Sequence, residues 1–240
     1  MEYYKVNNYD ELSLKAAEIM LETVKNKNDA LICVATGSTP TGAYEIFTKK
    51  LKDENIDYSK IKILKLDEWL GISKSDPASC EVYIKENILT PLEISSERYF
   101  SFNLETDDPN KECNRISDII YKEGPIDLCI LGIGTNGHLG LNEPGEKLIP
   151  HCHISRLNPK TKNHTMLTKT NHKVTYGITI GLKEILASKE ILLMVSGNNK
   201  REAFDKFMEG NITTWLPSSF LWLHLNVKCI ADMSIYTTGS

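Results

Sequence analysis

No apolar run in this chain approaches the ~20 residues that cross a bilayer. The polar opening MEYYKVNNYDELS also lacks the apolar core of a secretion signal. Basic excess is missing too: 28 Lys and Arg stand against 32 Asp and Glu, a net charge of −4. That argues against a nucleic-acid partner, which would call for a basic face and a high pI, yet it leaves room for a local basic pocket for one small phosphate. The six cysteines, at 33, 80, 113, 129, 152 and 229, form no C-x-x-C pair. A disulfide framework is therefore not expected in a chain of this size. Cys33, Cys129 and Cys229 lie inside apolar runs and read as small core residues. The reducing cytoplasm is the expected compartment. Repeats, low-complexity tracts and linkers are absent, so residues 1–240 read as one domain.

What is present is an alternation of buried strands and amphipathic helices. Apolar runs at 30–35 (ALICVA), 61–66, 126–131, 191–195 and 227–231 have the length of fully buried strands. Helical spacing marks 10–24, with Asp10 as cap, and then 41–51. A further helix is expected from Asp76 with Pro77 at its first position, and others at 109–122, 182–187 and 200–208. Residues 146–176 are less regular. The pattern predicts an α/β fold, a doubly wound, mostly parallel sheet with helices on both faces. In such a sheet the segments after the strands, Thr36–Thr39, Asp67–Glu68, Gly132–Glu143 and Ser196–Lys200, share the carboxyl edge where ligands bind.

The most informative stretch is DLCILGIGTNGHLGLNEP, 127–144. Four glycines let its loop turn sharply, and His138 and Glu143 supply a titratable pair in which a carboxylate can orient an imidazole. Gly132-x-Gly134-x-x-Gly137 matches a dinucleotide fingerprint formally, but no helix opens there and residues 150–160 hold no acid for a ribose. TGSTPTG (36–42) joins a strand to a helix and suits an oxyanion, although a plain turn reads as well. SGNNK (196–200) also follows a strand, and Lys200 can meet the same phosphate as a point charge. Asp67, at a strand end, is a candidate general base. His151, Cys152 and His153 offer no third ligand nearby, so no metal site is expected.

ATGSTPTG (35–42), KLDEW (65–69), LGIGTNGHLGLNEPGE (131–146), YGITIGLKEIL (176–186) and LLMVSGNNK (192–200) resemble the glucosamine-6-phosphate deaminase/isomerase family. With CHIS (152–155) and SSFLWLH (218–224), the chain is most similar to its bacterial galactosamine-6-phosphate branch. The resemblance implies a Rossmann-like fold and conversion of an amino sugar 6-phosphate, a small-molecule partner, to a ketose 6-phosphate and ammonia. It implies no metal or organic cofactor, and an assembly anywhere from monomer to homo-oligomer. Asp67 would move the proton between C2 and C1, and His138 would assist ring opening with Glu143 holding it. Gly37, Ser38, Thr39 and Lys200 would bind the phosphate.

Three departures follow from the same comparison. Asn136 stands where the glucosamine enzymes carry an acid of the relay, as it does in the galactosamine branch. The family's phosphate-binding arginine has no clear counterpart; His164 falls near its position, with Arg156 and Lys162 as other basic candidates. Where some relatives use basic and serine residues for an allosteric phosphate site, Glu146, His153 and Ser155 occupy the comparable positions here, so activation by N-acetylglucosamine 6-phosphate is not expected. The rival readings are the glucosamine enzyme, 6-phosphogluconolactonase and a non-catalytic sugar-phosphate sensor.

Overall fold

The computed structural model describes residues 1–237. Strand β1 (Glu2–Val6) leads into helix α1 (Tyr9–Asn26), whose cap is Asn8, its side chain accepting from the Glu11 N–H. Asp10 sits inside the first turn, where an acid suits the helix dipole. Strand β2 (Leu31–Val34), helix α2 (Ser38–Asp53) and strands β3 (Lys62–Lys65) and β4 (Asp67–Leu70) follow. Helix α3 (Cys80–Ile84) runs through a π-turn into α4 (Thr90–Leu92), and then come β5 (Tyr99–Phe100), α5 (Pro109–Glu123) and β6 (Leu128–Gly132). Next are β7 (His153–Arg156), α6 (Pro159–Lys162), β8 (Tyr176–Thr179) and α7 (Leu182–Leu186). Strand β9 (Glu190–Val195), helix α8 (Arg201–Met208) and strand β10 (Val227–Asp232) complete the order.

Seven strands form one parallel sheet in the order β1-β10-β9-β6-β2-β3-β5. Alternation along each strand divides its apolar residues between two cores. Ile32, Val34, Ile130 and Met194 pack under α1 and α2. Cys33, Leu131, Leu193 and Cys229 face α5, α7 and α8. The sheet is therefore doubly wound with helices on both faces, and all six cysteines are free and buried. No helix among the described residues is long and apolar enough to cross a membrane.

Local corrections concern ends and edges. The helix expected from Asp76 begins at Cys80, because Asp76 accepts from the Ala78 N–H in a turn of its own and Ser79 supplies the cap. Helix α2 starts three residues earlier than expected, at Ser38, since Pro40 is tolerated in a first turn. Asp67-Glu68-Trp69 does not simply end a strand. The chain breaks at Leu66, and β4 pairs antiparallel with β8, which pairs with β7, in a separate three-stranded sheet. The stretch 146–176 thus supplies β7, α6 and a 3₁₀ turn over Thr165–Lys169.

Candidate active site

A cavity of about 630 Å³ opens at the carboxyl edge of the large sheet, between it and the small one. Asp67, His138, Gly37, Ser38, Thr39, His164 and Lys200 all line it. Asn136 and Glu143 stand behind His138.

Asp67 is held at the start of β4, opposite Thr179 of β8. The Cys80 thiol donates to its Oδ1 at 3.7 Å. Burial, and then the charge of neighbouring Glu68, push its carboxyl up to about 7, so it gains and loses a proton near neutral pH. Gly140 passes directly over this carboxylate with φ +55°; a Cβ there would sit 2.8 Å from Thr179 Oγ1 and 3.3 Å from Asp67 Oδ2.

The loop after β6 turns rather than opening a helix, with the Gly137 N–H donating to the Gly134 carbonyl and the Gly134 N–H to the His138 carbonyl. The His138 ring lies flat on Gly134, where a Cβ would collide with it. Its Nδ1 faces Thr161 Oγ1 at 3.2 Å and Glu143 Oε2 at 3.5 Å. Glu143 Oε2 also accepts from the Asn136 amide at 2.9 Å, and Oε1 from the Asn158 N–H at 3.1 Å. Burial alone would raise the Glu143 carboxyl, but His138, Thr161 and Asn136 hold it below its ordinary value. With Nδ1–H directed at Glu143 and Thr161, Nε2 is left free to take and return a proton.

Helix α2 follows Gly37 at its N-cap, with no side-chain cap and no acid in its first turn, leaving its first N–H groups free for an anion. The loop carbonyls are tied from behind. Tyr9 Oη donates to the Ser38 carbonyl at 2.7 Å, and Tyr83 Oη to that of Gly37 at 2.9 Å. Lys200 stands across the cavity, and burial lowers its ammonium to about 8. His164 reaches over Gly37, its Nε2 3.7 Å from where a Cβ would be, and packs on Trp69. Its Nδ1 accepts from the Met166 N–H, capping the 3₁₀ turn, so the proton of the neutral ring sits on Nε2. Burial, then Lys200 and His138, lower its pKa to about 4.

Of the other basic candidates, Arg156 is exposed at the end of β7, and neither it nor Lys162 lines the cavity; Lys160 does. Sequence reasoning also missed Tyr9 and Thr161. Thr161 was findable only through the turn of α6, which brings it and His164 to the same side. His151 pairs with Glu184 at 3.2 Å, and no three His, Cys, Asp or Glu side chains converge as metal ligands among the described residues.

The family described as glucosamine-6-phosphate isomerases/6-phosphogluconolactonase matches residues 7–227. AgaI of Escherichia coli (strain K12), which bears the word deaminase in its name without an established substrate, is 43% identical over 228 residues, 95% of this chain and 90% of that protein. Glucosamine-6-phosphate deaminase 1 of Bacillus subtilis (strain 168) is 36% identical over 234 residues, 97% of each. The solved structure of a monomeric glucosamine-6-phosphate deaminase superposes with a TM-score of 0.93 at 36% identity, covering 98% of this chain and 99% of that one. The 6-phosphogluconolactonase of Trypanosoma brucei shares the fold, with a TM-score of 0.73 at 16% identity over 98% and 97% of the two chains.

Proposed function

The chain belongs to the family of glucosamine-6-phosphate isomerases and 6-phosphogluconolactonases, and from that premise we propose that it deaminates and isomerises an amino sugar 6-phosphate, galactosamine 6-phosphate in particular. One observation carries this: a single cavity joins an anion cradle, a carboxylate poised near neutral pH and a carboxylate-oriented imidazole. In this reading the first turn of α2, Lys200 and His164 hold the phosphate. His138 takes the proton of the anomeric hydroxyl and returns one to the ring oxygen, opening the sugar. Asp67 then removes the C2 proton while the aldehyde oxygen at C1 takes one from solvent, giving an enolamine, and Asp67 delivers its proton to C1. The nitrogen is left double-bonded at C2, where water replaces it and ammonia departs. Two separate groups serve because the ring-opening proton and the carbon proton lie at different atoms.

Asn136 in place of the glucosamine enzymes' acid supports the galactosamine form. The glucosamine form is supported by the TM-score of 0.93 to a glucosamine-6-phosphate deaminase. Against the lactonase reading stand Asp67 and the intact Asn142-Glu143-Pro144 run, since ester hydrolysis asks for no carbon acid–base pair. Ammonia release from galactosamine and glucosamine 6-phosphates, measured side by side, tests all of these. Faster release from the galactosamine compound is expected. A glucosamine preference reassigns the sugar, and silence with both withdraws deamination.

A further inference from the structure

Immediately behind the cavity lies a buried ionic trio that the chemistry above does not use. Lys65 and Glu68 are both 0% exposed. Lys65 Nζ donates to Glu68 Oε2 at 3.0 Å and to Glu81 Oε2 at 2.6 Å, and Glu81 also accepts from Tyr99 Oη at 3.0 Å. Glu68 Oε1 accepts from the N–H groups of Trp69 and Cys80, and Oε2 from that of Glu81, each at 2.9 Å. The partners of this carboxylate thus come from β3, from β4 itself and from the start of α3. Neighbouring Asp67 lines the cavity.

Burying ions in this way adds little stability over a well-packed apolar pair, so the trio calls for another explanation. Its placement offers one. Glu68 ties down the strand after Asp67 through the Trp69 N–H. Through the Cys80 N–H it also fixes the residue whose thiol touches Asp67. Two carboxylates against one ammonium leave a net negative charge beside the base. The other titratable groups near Asp67 are the Cys33 and Cys80 thiols, while His138, His164, Lys160 and Lys200 line the same cavity.

We propose that Glu68 is the positioning residue of the base: clamped between Lys65 and the start of α3, it fixes the Asp67 carboxylate in the cavity, and the trio's net charge strengthens that carboxylate as a proton acceptor. The proposal rests on the reading of Asp67 as the base. The rise of Asp67 to about 7, from burial first and Glu68 second, agrees in direction.

The test is the pH profile of kcat/KM for ammonia release. Glu68→Gln removes negative charge and should move the acidic limb down by about one pH unit; Lys65→Met removes positive charge and should move it up by a similar amount. Glu81→Gln, at the half-buried end of the trio, should move it down by less while folding normally, so it carries the test where the two buried variants unfold. Opposite shifts on the two sides of the trio support the proposal. Lower kcat with the limb in place means a structural role only and overturns it. Asp67→Asn is run alongside: activity surviving in that variant removes Asp67 as base and the proposal with it, an outcome distinct from an inactive Asp67→Asn with unmoved limbs in the others.

Discussion

The side-chain amide of Asn136 donates to Glu143 Oε2 at 2.9 Å, and the same oxygen faces His138 Nδ1 at 3.5 Å. A neutral donor therefore fixes the carboxylate that orients the imidazole. Asn136→Asp would replace that donor with a second carboxylate at hydrogen-bond distance, and two such groups cannot both ionise there. The variant should gain an ionisation above the ordinary carboxylate range, visible as an added step in its pH–rate profile. A profile unchanged from the parent would remove Asn136 from the relay.

The pH dependence of the parent follows from two perturbed groups. In the proposed reaction Asp67 must be ionised to accept a proton, and its pKa is about 7; Lys200 must be protonated to hold a phosphate, and its pKa is about 8. The profile of kcat/KM should be a narrow bell with its maximum between those values. Lys200→Gln should chiefly raise KM and flatten the alkaline limb.

Asp67→Asn should lower kcat by a factor of about a hundred to ten thousand, with inorganic phosphate still bound. It should also stabilise the fold at alkaline pH. The folded-state pKa of Asp67 is raised from 3.8 to about 7, so its contribution to stability is fully present below the unfolded value and is lost as pH rises through 7. The loss is at most about 4 kcal/mol. Thermal melts at pH 5 and pH 8 should show the variant gaining on the parent at the higher pH.

Under the proposed function His164 has two separable roles. Its Nδ1 caps a turn by accepting from the Met166 N–H, and its Nε2 lies over Gly37, where it would meet the phosphate. Asn at 164 can keep the cap, because Asn is a favoured capping residue, but it is too short to keep the second contact. His164→Asn should raise KM roughly tenfold, the value of one hydrogen bond to a charged group, and leave the melting temperature close to the parent. An unchanged KM would reduce His164 to the cap.

Gly134→Ala puts a methyl group into the face of the His138 ring. The expected cost is about 1–3 kcal/mol of stability and a fall in kcat, because the imidazole must leave its seat between Gly134 and Glu143. Differential scanning calorimetry and steady-state kinetics on the same preparation check both.

The sequence by itself determined the five central strands of the large sheet and the edge that bears the cavity. Runs such as 30–35 and 126–131 have the length and apolar character of buried parallel strands, and the turn residues that flank them exclude a longer helix. The turns that follow them, 36–42 and 132–143, then have to meet at one edge. The gathering of Gly37, Ser38, Asp67, His138 and Lys200 around one cavity was legible on that basis. Only the tertiary structure decided the rest. Strand β1, with mixed polarity at a sheet edge, and β5, two residues long, carry too little pattern to be read. In the small sheet β4 pairs with β8, a segment more than a hundred residues further along the chain, and that backbone pairing leaves no local trace. The same long-range packing selects Lys160 over Arg156 and Lys162, sets Thr161 against His138, and turns Lys65 and Glu68 of an ordinary-looking KLDEW into a buried ion pair. Periodicity reports which face of an element is buried; which side chains then meet across the cavity depends on folding distances that no local pattern encodes.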